Sequence, residues 1–178
     1  TRALSLQESA SLGGSAKWGV TPADPMGTTV RRVSGIGGDR IIIRNRFTFD
    51  PSMEVGDKRI NAVAHDHDRA FAARFPNLSD VRMEFRWGGR LCVSRNNVQV
   101  IGELNERLYS ACCQNGLGTA KGTLAGCLGA DLALGNPSDA LIRALSADKP
   151  ARLPPAPLSS VGANLYLKWQ ERQAGGEL

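Results

Sequence analysis

Tyr109-Ser-Ala-Cys-Cys-Gln-Asn-Gly-Leu-Gly-Thr-Ala-Lys-Gly-Thr-Leu-Ala-Gly126 sets a short apolar run against a glycine turn that opens directly into a run of small residues. The spacing predicts a strand over Arg107 to Cys113, a turn at Gly116-Leu117-Gly118 and a helix from about Gly118 to Leu134. Glycines 116 and 118 carry no Cβ, so a ligand can approach the main chain there. A helix starting at Gly118 aims unpaired N–H groups and a partial positive charge at such a ligand. An ordinary strand-to-helix turn also uses glycine, so spacing alone leaves both readings open. Gly118, Gly122, Gly126 and Ala130 recur every four residues, which leaves one helix face nearly bare for close approach of a strand, a helix or a second copy of the chain.

Upstream, β-branched and alternating runs dominate. Thr28 to Val33 reads as a strand, and Ser34-Gly-Ile-Gly-Gly-Asp39 as a hairpin turn: it has the look of a nucleotide fingerprint but precedes Ile41-Ile-Ile43 rather than a helix. From Arg40 to Phe49, alternation places Ile41, Ile43, Asn45, Phe47 and Phe49 on one face and Arg40, Ile42, Arg44, Arg46 and Thr48 on the other. Val81, Met83, Phe85 and Trp87 alternate with Arg82, Glu84 and Arg86, predicting an antiparallel strand with one wet face. Between these runs Asn61 to Phe75 reads as a helix that stops before Pro76. His65 and His67 fall on different faces of that helix, which favours a solvated surface over a metal site. After Gly88-Gly89 the pattern predicts a strand from Arg90 to Ser94, a turn at Asn96-Asn97 and an apolar run from Val98 to Ile101. Helices over Pro137 to Leu145 and about Ser159 to Gln173 flank a proline-rich crossing.

Composition bounds the function classes. The 178 residues are 42% hydrophobic, enough for a core of ordinary domain size. No run reaches the ~18 apolar residues of a membrane span, and the N-terminal residues lack a secretory pattern, so a cytoplasmic setting without a membrane partner is expected. The net charge of +5 is scattered among acids without a basic block, which argues against a nucleic-acid partner. Cys92, Cys112, Cys113 and Cys127 show no paired metal spacing and read as reduced, structural residues, with no metal expected.

Taken in order, Trp87-Gly88-Gly89, the Asn96-Asn97 turn, Gly102, the Tyr109 strand and Gly116-Leu117-Gly118 resemble the C-terminal part of FAD-dependent oxidoreductases of the D-amino-acid oxidase superfamily. The gamma-glutamylputrescine oxidase and sarcosine oxidase branch is the most similar. The resemblance is strongest from Val81 to Leu134, and the tail Pro154 to Trp169 fits the putrescine-type branch. It implies an α+β fold: an antiparallel substrate domain with flanking helices over residues 1–105, and a strand-helix segment over 106–178 that belongs to a flavin domain. The family's Rossmann segment, a strand followed by Gly-x-Gly-x-x-Gly and a helix, has no match here, so the chain is expected to be a piece of a longer flavoenzyme that holds FAD poorly alone.

The implied chemistry is hydride removal from a carbon bearing an amine, giving an imine, with electrons passing through flavin to dioxygen or another acceptor. By the same resemblance Gly88, Gly89, Asn115, Gly116, Leu117, Gly118, Thr119 and Lys121 are candidate flavin contacts, while Arg44, Arg46 and Trp87 are candidate substrate contacts. No catalytic residue is assigned. Lys121 opposes the helix dipole, which suggests a nearby anion or a side chain reaching water. Two departures matter: the central turn position, often histidine in the branch, is Leu117, and the neighbourhood where glycine oxidase-type enzymes carry a carboxylate-binding arginine is Cys113-Gln114-Asn115. A simple amino-acid substrate is therefore put in doubt. Arg44 and Arg46, sharing a strand face, could supply a carboxylate clamp instead, since a guanidinium binds carboxylate through two parallel hydrogen bonds, but a solvated strand face is the slightly favoured reading of the pair. The competing expectation is a non-catalytic binding module that kept the fold.

Overall fold

The β-branched run Ile41-Ile-Ile43 anchors the first sheet of the computed structural model, which describes residues 1–177. A short helix α1 (Leu6–Ser11) begins at a capping box, where the Ser5 side chain accepts from the Glu8 N–H and Glu8 reaches back to the Ser5 N–H. Strands β1 (Trp18–Val20), β2 (Thr29–Val33) and β3 (Arg40–Arg44) then form an antiparallel sheet in that order, with Val30 opposite Ile43 and Arg32 opposite Ile41. The glycine turn between β2 and β3 is the expected hairpin, and Gly38 takes φ 82°, a conformation that favours glycine.

Arg32 is buried in the sheet. Its guanidinium meets Asp39 at 2.9 Å and donates to the carbonyls of Ser9, Gly13 and Ser15, so the charge is both paired and hydrogen-bonded. Hydrogen bonds from Ser34, Arg32 and Ser9 hold the Asp39 carboxyl at about 2.

Helix α2 (Asp57–Arg74) starts a turn earlier than the sequence pattern suggests and ends before Pro76, because a residue preceding proline is pushed out of helical geometry. Its Phe71 inserts among Leu4, Val30, Ile41, Leu78 and Val81, the apolar core of this part of the chain. Helix α5 (Leu158–Ala174) supplies further ties: Asn164 donates to the Phe49 carbonyl at 3.1 Å and accepts from the Phe49 N–H at 3.2 Å.

The predicted strand over Arg40 to Phe49 stops at Arg44, because Arg46 adopts φ 66° and cannot continue an extended ladder. Arg44 and Arg46 therefore do not share a strand face. Val81 to Trp87 joins no ladder among the described residues, and neither does Arg90 to Ser94. Ion pairs hold the first of these segments instead: Arg40 with Glu84 and Arg86 with Asp68. Val81 is buried, while Phe85 and Trp87 stand 66% and 68% exposed.

Strands β4 (Val100–Asn105) and β5 (Leu108–Cys112) make a second antiparallel sheet, with Val100 opposite Cys112 and an irregularity between Glu103 and Asn105. A π-helical turn (Gly118–Gly122) leads into α3 (Thr123–Leu134), which buries Ala125 and Leu128 and ends at Gly135 in the left-handed conformation. Helix α4 (Asp139–Ser146) is capped by Ser138 and buries Leu141.

The fold is thus α+β, built from small antiparallel sheets and helices. Two compact units are distinguished, one of residues 1–89 with 160–178 and the other of residues 90–159. This division differs from the expected boundary at residue 105, which falls inside the β4–β5 hairpin, where cutting would separate hydrogen-bonded partners. No helix of the described residues is long and apolar enough to cross a membrane.

Candidate functional site

In the second unit, the turn after β5 is shaped by three residues with positive φ within four positions. Cys113, Asn115 and Gly116 have φ of 58°, 52° and 80°. Asparagine tolerates the left-handed region better than most residues, and here its side chain also secures the turn. Asn115 Nδ2 donates to the Cys113 carbonyl at 2.7 Å, and its Oδ1 accepts from the Ser94 N–H at 2.9 Å. The Leu117 N–H donates to the Gln114 carbonyl at 3.0 Å and the Lys121 N–H to the Leu117 carbonyl at 2.9 Å.

The resulting surface is open. A Cβ added at Gly116 or Gly118 would meet no atom within 4 Å, and Gly116 to Ala120 are all exposed. Leu117 projects with 58% exposure. The Thr119 carbonyl accepts from Thr123 Oγ1 at 2.6 Å, and the Lys121 carbonyl from Gln99 Nε2 at 3.1 Å, so both main-chain acceptors are satisfied inside the unit. The small-residue stripe does not act as a single face. Gly122 lies against Gln114, whereas Gly118 and Gly126 face open space; Gly129 lies against β5, where an added Cβ would be 3.4 Å from that of Ala111.

In the first unit, the two arginines have different fates. Arg46 makes ion pairs with Asp66 at 3.1 Å and Glu171 at 3.0 Å, so its fork is already engaged by carboxylates of the chain. Arg44 is exposed, donates to Thr29 Oγ1 at 3.0 Å and sits 5.3 Å from the Phe47 ring centroid. No carboxylate among the described residues pairs with Arg44. Trp87 is exposed, Gly88 lies over Val55, and Gly89 has the Trp87 ring as its neighbour. A concavity of about 620 Å³ runs along β1 and β2, but none of the expected site residues lines it.

The sequence reading missed the meeting of Cys92, Cys112 and Cys113, whose Sγ atoms all lie within 4.8 Å of one another. Neighbours in a strand point to opposite faces, and the positive φ of Cys113 breaks that rule. Gly116-Leu117-Gly118 signalled a turn, but nothing in the spacing signalled that Cys92 would be beside it.

The chain matches no family model, no curated protein and no solved structure. Function therefore rests on the residues themselves.

Proposed function

We propose that this chain is the substrate-side and flavin-capping part of an FAD-dependent oxidoreductase acting on an amine or an N-substituted amino acid. The observation that carries the reading is the turn between β5 and α3, where two glycines leave uncovered main chain at the start of a helix. Bound flavin would accept the hydride from the substrate carbon and pass the electrons on. The residues fit one edge of that group: Gly116 and Gly118 leave room for a planar ring, Asn115 fixes the turn, and Leu117 and Thr119 stand beside it. The helix start favours negative charge there by ~0.3 to 2 kcal/mol. Lys121 lies at the same helix start and adds a positive charge.

Nothing in the sequence fits the dinucleotide phosphates, so these residues would hold the ring end alone. On the substrate side, the exposed indole of Trp87 beside Gly88 and Gly89 offers an apolar wall. Arg44 offers a cation for a carboxylate, whereas Arg46 is held by Asp66 and Glu171. One available arginine is enough to hold a substrate carboxylate, since a single guanidinium presents two parallel N–H donors.

The test is the visible spectrum of the protein expressed from its complete reading frame, followed by anaerobic addition of amines and N-alkyl amino acids. Flavin bands that bleach with one of them are the expected result. A colourless protein that takes up no added FAD overturns the proposal and leaves a binding module in its place.

A further inference from the structure

Cys92 and Cys113 are 21 residues apart in sequence, yet their Sγ atoms are 3.0 Å apart. That separation is a direct thiol–thiol contact, about 1 Å longer than a disulfide bond. Both sulfurs are positioned by the main chain around them. The Asn115 N–H donates to the Cys92 carbonyl at 3.4 Å and the Ser94 N–H to Asn115 Oδ1 at 2.9 Å, so the segment carrying Cys92 is tied to the turn carrying Cys113. The thiols differ in access: Cys92 is exposed and Cys113 buried. We propose that Cys92 and Cys113 form a reversible oxidative site, closing to an intrachain disulfide when Cys92 meets a hydroperoxide. This inference is independent of the flavin reading.

The chemistry balances with the hydroperoxide as two-electron oxidant. The Cys92 thiolate attacks the terminal peroxide oxygen, the O–O bond breaks, and the departing alkoxide takes up the proton that Cys92 released. Cys92 is then a sulfenic acid. The Cys113 sulfur attacks Cys92 Sγ, the S–S bond forms, the S–O bond breaks, and hydroxide leaves as water with the Cys113 proton. Two thiols and one hydroperoxide become one disulfide, one alcohol and one water. Burial, then the contact with Cys92 and the neighbouring thiols, pushes Cys113 up to about 12, which keeps it protonated at neutral pH and leaves the first attack to the exposed partner. Cys112 belongs to the same cluster but lies against Ser110 Oγ at 3.3 Å, and closure does not require it.

The experiment treats the reduced 178-residue chain with hydrogen peroxide, alkylates remaining thiols after denaturation and maps the peptides by mass spectrometry. The expected result is loss of two of the four thiols, a cross-linked peptide joining Cys92 to Cys113, and full recovery with dithiothreitol. Cys127→Ser and Cys112→Ser retain the cross-link; Cys92→Ser abolishes it and leaves Cys113 open to alkylation. Four reactive thiols after peroxide, a cross-link between chains, or an irreversible oxyacid at Cys92 would each overturn the proposal. So would stoichiometric zinc on the purified protein that Cys112→Ser releases, since that would make the cluster a three-thiolate metal site.

Discussion

Gly116 and Gly118 look alike in sequence, and the structure separates them. Both face open space, but only Gly116 needs a left-handed backbone, at φ 80°. Gly116→Ala is expected to destabilise by about 1–2 kcal/mol through backbone strain. Gly118→Ala should stay within about 0.5 kcal/mol of the parent because nothing contacts the new methyl group. Urea unfolding measures both, and equal losses would show that the turn is governed by something other than backbone geometry. If the flavin proposal holds, Gly118→Ala also weakens FAD uptake by the complete protein without loss of stability. A similar contrast separates the arginines. Arg46→Ala leaves Glu171 without its cation and is expected to cost about 2–3 kcal/mol. Arg44→Ala removes an exposed ring contact and should cost no more than about 1 kcal/mol. A larger loss at Arg44 than at Arg46 in denaturant titration would contradict this assignment of roles. The identity of each arginine was legible in the sequence. Its partner was not, since Glu171 lies on a helix 125 residues downstream.

At the scale of elements, α2 was readable because its alanine-rich composition and the following proline are local properties. The state of its histidines depends on what packs around it. Burial, followed by the charges of Arg86 and Arg46, lowers the pKa of His67 from its ordinary value, against the smaller pull of Asp68 and Asp66. The imidazole is thus neutral in the fold and takes up a proton more readily when unfolded. Its contribution is complete above the unfolded value, about 6.5, and is lost as pH falls through the folded value. The urea midpoint is expected to drop as pH falls below about 6.5, and His67→Gln should flatten that fall. An unchanged slope in His67→Gln would assign the drop to other groups. Val81 to Trp87 shows the opposite limit of local reading. Its alternation is real, but a strand exists only when another strand supplies hydrogen-bond partners, and among the described residues none does.

For the whole molecule, the distribution of buried side chains predicts unequal stability. The largest fully buried side chains, Phe71, Ile41 and Leu78, all lie in the first unit, whereas the second relies on Cys113, Ala125, Leu128 and Leu141. Hydrogen exchange followed by mass spectrometry should therefore find α2, β2 and β3 protected longer than α3 and α4. Equal protection of α3 would mean that its exposed Leu124 and Leu134 are covered, by a second copy or by another protein segment. The sequence by itself determined the hairpin after β2, helices α2 to α5 and the glycine turn before α3, because periodicity, helix-ending prolines and turn glycines act over a few neighbours; α1 was not read from it. Tertiary structure alone decided that β3 ends at Arg44, that Arg46 is committed to Asp66 and Glu171, and that three thiols converge. Each of these depends on groups brought together from distant positions in the chain, and no local pattern encodes which distant group will arrive.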